Sequence, residues 1–292
     1  MELKLNIRMK LNLIAGIAAL ILSLTPMAAQ NDQAVTIKGP NAPLSAIYHK
    51  PATLADGAKC PIAILCHGFG GTKGDGLLRQ VAVELERRGV ATLLFDFAGS
   101  GASVTKKFAF EDMTVETEVE DLKAVVDYAR NLPFVDGVAL VGHSMGGAVS
   151  LLGAADLGKR RIRCLAMMAP AVVLHDDAAR GNIFGVAFNP AEPPKRVELW
   201  GGRLAIGRDY IVSAQKADFL LEATKYSGKS LIVFGNSDTV VPSSYGPYLE
   251  RALPNAKLVI HKGMDHSMMV PGDAESLTRL SVEVAEFVAA QF

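Results

Sequence analysis

Short runs dominated by Ile, Leu, Val and Ala recur along the chain at Ile62–Cys66, Ala91–Phe95, Val138–Val141, Cys164–Met168, Ser230–Phe234 and Lys257–His261. Between them lie longer stretches in which apolar residues return three and four positions apart, near Leu77–Arg88, Val115–Asn131, Gly146–Ala155, Tyr245–Ala252 and Ala274–Ala290. The runs fit strands buried on both faces and the longer stretches fit helices with one apolar stripe. Their alternation predicts a parallel sheet covered by helices on both sides. The segments Ala34–Lys38 and Leu44–His49 are expected to add antiparallel edge strands. From Ala171 to about Thr224 the rhythm stops, and Pro190, Pro193, Pro194, Gly201 and Gly202 interrupt the chain. So long a stretch without a clear strand–helix pair predicts a functional insertion rather than a connector. No internal repeat or low-complexity segment is present.

Residues 1–30 carry a different signal. Lys4, Arg8 and Lys10 precede an uncharged stretch from Leu11 to Thr25, then a helix-breaking Pro26 and the small residues Ala28 and Ala29. This order of charge, apolar core and small residues predicts a secretory signal peptide cut near Ala29 or Gln30, hence an exported protein, periplasmic or secreted. A retained anchor is the weaker reading, because the stretch is shorter than the roughly 20 residues a spanning helix needs. No Cys lies near the junction for lipid attachment, so no stable membrane association is expected after cleavage. The remaining residues, 31–292, form one expected domain with the insertion at approximately 171–224.

Composition narrows the classes further. Half of the 292 residues are hydrophobic and 21% are charged, with 30 basic side chains against 30 acidic ones. Such a chain buries a large core, which excludes disorder and collagen-like repeats. Loss of Glu2, Lys4, Arg8 and Lys10 with the leader leaves a net charge of −2. There is no overall field for polyanions, and no nucleic-acid partner is expected. Export permits disulfides, but Cys60, Cys66 and Cys164 allow at most one bond, and two of them sit in apolar runs.

Candidate chemistry begins at Gly142-His143-Ser144-Met145-Gly146, between the run Val138–Val141 and the small residues Gly147-Ala148-Val149. In a chain with 27 glycines the bare Gly-x-Ser-x-Gly pattern carries little. Between a strand and a helix it predicts a strained turn that exposes a nucleophilic serine, the flanking glycines letting backbones approach. A serine hydroxyl needs a base, a group to orient that base, and donors for the oxyanion. On such a sheet these partners follow in the order Ser, acid, His. Asp238 lies just beyond Leu231–Phe234, and His266 just beyond Lys257–His261, both at carboxyl ends of strands, where open α/β sheets hold ligands. Asp265 competes as the acid, but a carboxylate adjacent in sequence is poorly placed to reach the ring, so it reads as a turn former. His67-Gly68-Phe69-Gly70-Gly71 follows Ile62–Cys66, and its flexible backbone nominates the N–H of Phe69, with that of Met145, as oxyanion donors. His67 reads as structural, holding its loop by a hydrogen bond. No His, Cys, Asp or Glu cluster has metal-ligand spacing, so no metal is predicted.

These four stretches, the last two extending as Asp238-Thr239-Val240-Val241-Pro242 and Asp265-His266, resemble in order and strand position the α/β-hydrolase fold. Within it, Asp96-Phe97-Ala98-Gly99-Ser100-Gly101-Ala102-Ser103, Phe110-Glu111-Asp112-Met113-Thr114-Val115, Ala169-Pro170-Ala171 and Arg180-Gly181-Asn182 are similar to the cinnamoyl (feruloyl) esterases of bacteria. The resemblance spans roughly residues 40 to 290 and is weakest in the insertion. It implies a mostly parallel central sheet with helices on both faces and a small inserted lid that closes over a hydroxycinnamoyl group. It also implies a serine esterase without a cofactor, taking a small-molecule ester, with Ser144 as nucleophile, His266 as base and then acid, and Asp238 orienting the histidine. Phe69 and Met145 would supply the oxyanion hole, and Asp177 would contact the substrate near its phenolic ring. Ile183 and Phe184 depart from the family by placing apolar side chains where a polar one is expected, which leaves plainer aliphatic or aryl esters as substrates. Peptide cleavage of the prolyl oligopeptidase type, a lipase or thioesterase, and a catalytically silent binding module on the same fold are the competing functions.

Overall fold

The structure is a computed structural model describing residues 33–292, so the predicted leader lies outside the described residues. The chain opens with strands β1 (Gln33–Lys38), β2 (Pro43–His49) and β3 (Cys60–Cys66), helix α1 (Gly76–Glu86), β4 (Ala91–Phe95) and α2 (Val115–Arg130). It continues through β5 (Val135–His143), α3 (Met145–Leu157) and β6 (Cys164–Met168). The inserted stretch contains α4 (Val173–Ala179), a hairpin of β7 (Asn182–Ile183) and β8 (Val186–Ala187), and a second hairpin of β9 (Arg196–Leu199) and β10 (Leu204–Gly207). Helices α5 (Arg208–Lys216) and α6 (Phe219–Ala223) follow, then β11 (Lys229–Gly235), α7 (Gly246–Ala252), β12 (Ala256–His261) and α8 (Ser276–Ala289).

Eight strands form one sheet in the order β1-β2-β4-β3-β5-β6-β11-β12. Only the pairs involving β1 and β2 are antiparallel. The predicted α/β architecture is therefore present, and both expected N-terminal strands are antiparallel, but only β1 lies at the edge, because β2 also pairs with β4 on its other side. The central strands explain their own composition: every residue of β4 and β6 is buried, because helices cover both faces. Helices α1 and α8 pack together on one face, and α2, α3, α6 and α7 on the other. On α8 the buried residues Leu280, Val284, Ala285 and Val288 form the stripe that the periodicity predicted. Local chemistry sets the starts: Asp75 accepts from the Leu78 N–H at 3.1 Å, and Thr114 and Thr117 cap α2 reciprocally.

Register brings distant segments to one end of the sheet. Cys66 sits beside Gly142, His143 beside Met168, and Gly235 beside His261. The loops after β3, β5, β11 and β12 consequently share the carboxyl end. Cys60, Cys66 and Cys164 are free, buried thiols, and burial pushes those of Cys66 and Cys164 up to about 12. They pack as core residues.

The insertion differs from its sequence appearance because it is built from short pieces. Its strands have two to four residues and its helices five to nine, too short to display a period.

One buried acid on α2 makes the fold pH-sensitive. Asp121 accepts from the Ala98 N–H at 2.8 Å, while its other carboxylate oxygen has no partner among the described residues. Burial raises its pKa to about 7, so folding takes up a proton between the unfolded value and about 7. Its contribution is fully present below the unfolded pKa and is lost as pH rises through 7. Asp121→Asn is therefore expected to stabilise the protein at pH 8 relative to pH 5, by on the order of 3 kcal/mol, read as the difference between urea-unfolding free energies of variant and wild type at each pH.

Candidate active site

Ser144 stands at the junction of β5 and α3 with φ +53° and ψ −122°. Its N–H donates to the Met168 carbonyl at 2.9 Å, and its own carbonyl accepts from Gly147, Ala148 and Ala171. These bonds, and not the serine's own preference, hold the left-handed conformation. Space also demands it: a Cβ on Gly146 would lie 2.1 Å from the Cys66 carbonyl oxygen, and one on Gly142 would lie 2.3 Å from that of Gly146. Only glycine lets the turn pass so close to β3.

His266 faces the serine, its Nε2 3.0 Å from Ser144 Oγ. On the other side its Nδ1–H donates to Asp238 Oδ2 at 2.8 Å. Asp238 Oδ1 accepts from the N–H groups of Val240 and Val241 at 2.8 and 2.9 Å. Burial alone would raise the Asp238 pKa, but the bonds from His266, Val241 and Val240 outweigh it and hold the carboxyl below its ordinary range. The acid thus stays ionised, fixing a tautomer in which Nε2 is free to accept the hydroxyl proton. Asp265 instead closes its own turn, accepting from Ser267 Oγ and the Met269 N–H. The structure therefore brings Ser144, His266 and Asp238 together and leaves Asp265 aside.

The loop after β3 lies against the serine, so close that a Cβ on Gly68 would sit 3.2 Å from Ser144 Cβ. Its Gly71 N–H to Gly68 carbonyl bond closes a turn with Gly70 at φ +69°, leaving Phe69 at the apex. Among the described residues no main-chain acceptor takes the Phe69 N–H. The Met145 N–H belongs to the first turn of α3, where no intrahelical partner exists. These two donors, with the helix dipole behind one of them, can hold a developing oxyanion. His67 occupies a structural position. Its Nδ1–H donates to the Gly68 carbonyl at 2.9 Å and its Nε2 accepts from Phe97, while burial lowers its pKa and keeps it neutral. Asp96 secures the far end of the loop, accepting from the Lys73 N–H and ammonium at 2.6 and 2.5 Å.

Beside the serine is a narrow cavity of about 50 Å³, lined by Phe69, Met145, Leu174, Asp177, Phe184 and Val241 among others. Asp177 reaches it from α4, with its pKa raised first by burial. The Phe69 ring is the hub of an aromatic cluster, 4.2 Å from Phe184, 4.9 Å from Phe110, 5.4 Å from Tyr210 and 5.9 Å from Trp200. Phe184 and Trp200 stand in the turns of the two inserted hairpins, both at φ +50°. The inserted segment thereby packs on the same residue whose N–H is a candidate oxyanion donor. Phe184 and Phe110 stand in stretches that the sequence singles out, whereas Trp200 and Tyr210 do not. The available signal was Trp200-Gly201-Gly202, a hairpin turn carrying an aromatic side chain.

The Alpha/beta hydrolase family matches residues 63–279. A solved structure of Est1E from Butyrivibrio proteoclasticus with ferulic acid bound is similar, with a TM-score of 0.80 and 32% identity over 88% of this chain and 98% of that one. The non-heme chloroperoxidase CPO-A1 of Kitasatospora aureofaciens is 25% identical over 255 residues, 74% of this chain and 89% of that protein. The monoacylglycerol lipase of Mycolicibacterium smegmatis is 27% identical over 233 residues, 76% of each.

Proposed function

Since the chain belongs to the α/β-hydrolase family, we propose that it is an exported serine carboxylic-ester hydrolase acting on hydroxycinnamoyl or other small aryl and alkyl esters. The observation that carries this reading is the continuous chain Ser144 Oγ, His266 and Asp238, with contacts of 3.0 and 2.8 Å. Ser144 Oγ attacks the ester carbonyl as its proton passes to His266 Nε2. The oxyanion is held by the N–H groups of Phe69 and Met145. The C–O bond to the alcohol breaks as Nε2 returns the proton to the leaving oxygen, and the acyl group stays on Ser144. Water, deprotonated by the same Nε2, then releases the acid.

The feruloyl preference rests on the Est1E likeness and on Asp177 lining the cavity. A cavity of about 50 Å³ does not hold a phenylpropenoyl group, so a lining side chain such as Phe184 must yield before such a group enters. A lipid ester is the second reading, favoured by Trp200 and Val240 lying 53% and 55% exposed.

Hydrolysis of ethyl ferulate, p-nitrophenyl butyrate, a monoacylglycerol and an aminoacyl anilide by the purified chain tests both. Ethyl ferulate is expected to have the highest kcat/KM. Preference for the monoacylglycerol selects the lipase reading, and turnover of the anilide alone overturns ester hydrolysis.

A further inference from the structure

The loop carrying His266 is closed by main-chain bonds that bypass the histidine itself. Asp265 and Met268 close a turn around it, through Asp265 N–H to the Met269 carbonyl and Met268 N–H to the Asp265 carbonyl. His266 itself takes no part: among the described residues its N–H meets no main-chain acceptor and its carbonyl accepts from no main-chain donor. One bond reaches that carbonyl, from His143 Nε2 at 2.8 Å across 123 positions of sequence. His143 ends β5, immediately before Ser144, and its ring centroid lies 5.0 Å from that of His266. Its Nδ1 lies against the loop after β3, since a Cβ on Gly68 would stand 3.6 Å from it.

We propose that His143 is a positioning residue whose Nε2–H, bonded to the His266 carbonyl, sets the Ser144–His266 distance and keeps the base aligned through the proton transfers. This rests on the triad reading above. A side chain next to the nucleophile thus fixes the base relative to the elbow, so that motion of the last loop does not open the 3.0 Å contact. The imidazole suits the task chemically. Burial first, and then the neighbouring His266, hold its pKa down to about 4, so it donates one N–H as a neutral ring and adds no positive charge beside the imidazolium that forms on His266. The amino-acid sequence places His143 only as the variable position of the Gly-x-Ser-x-Gly turn.

The test compares His143→Leu, which keeps volume but has no donor, with His143→Gln, which restores an N–H, using a p-nitrophenyl ester at pH 7.5. His143→Leu is expected to lower kcat by about tenfold to a hundredfold, the loss typical of a misplaced reacting group, with KM changed less than about twofold. Sulfonylation of Ser144 by a sulfonyl fluoride, in which the Oγ–S bond forms as fluoride leaves and the base takes the hydroxyl proton, should slow in parallel. His143→Gln is expected to recover most of both rates at an equal melting temperature. His143→Met supplies the donor-free comparison if the leucine variant does not fold. Wild-type kcat in the donor-free variant, or no recovery with glutamine, overturns the proposal. Ser144→Ala assayed alongside separates the cases: turnover surviving there refutes the triad reading itself.

Discussion

Alanine in place of Ser144 is expected to lower ester turnover by on the order of 10⁴-fold or more, while leaving KM for a soluble ester within about threefold. The hydroxyl is removed from a position whose backbone is held by bonds to Met168, Gly147, Ala148 and Ala171, so the elbow and the two oxyanion donors survive the change. Residual activity then measures what positioning and the oxyanion donors achieve without a nucleophile. Loss of His266 should cost as much, because the three groups act as a unit. Asp238→Asn should cost somewhat less, since it spoils the tautomer but keeps both reacting atoms. Initial rates with a p-nitrophenyl ester decide the matter, and more than about a tenth of wild-type turnover in the alanine variant would contradict covalent catalysis by this serine.

A methyl group added two residues away should do damage of another kind. In Gly146→Ala the new carbon would meet main-chain oxygens of Cys66 at 2.1 Å and His67 at 2.4 Å. Neither is a flexible side-chain end, so the end of β3 or the elbow must move. A stability loss of about 3 kcal/mol or more is expected, with a rate loss on the order of 10²-fold in the fraction that folds, because the oxyanion loop is displaced. The contrasting position is Gly76, at the first turn of α1, where nothing lies within 4 Å of an added Cβ. Gly76→Ala should leave stability unchanged or raise it by up to about 1 kcal/mol. Thermal unfolding of the two variants separates collision at the elbow from a general intolerance of larger residues.

The parts of this molecule that were legible in its sequence share a physical property: each is specified by local pattern. The central strands announce themselves because they are buried on both faces, and Ser144 and Asp238 could be picked out because each follows such a strand, while His266 follows the half-buried apolar run of β12 in the required order. Phe69 stood out because glycines surround it. The lid was opaque for the opposite reason. Its hairpins are held by positive-φ turns at Phe184 and Trp200 and by packing on Phe69, contacts between residues far apart in sequence. The bond from His143 to the His266 carbonyl is equally invisible to pattern, since any residue offers a carbonyl and only the folded register brings this one within reach.

The candidate site also inherits a weakness from the place where its proposed base is mounted. His266 follows β12, which ends the sheet and pairs with β11 alone. An outer strand detaches at lower free energy than strands such as β5, which are clasped on both sides. Warming should therefore release β12 and its loop before the inner strands, separating the proposed base from Ser144 while those inner strands stay paired. Heat inactivation would then run ahead of the loss of circular dichroism, and a small ligand occupying the serine pocket would narrow the gap by stapling the last strand to the middle of the sheet.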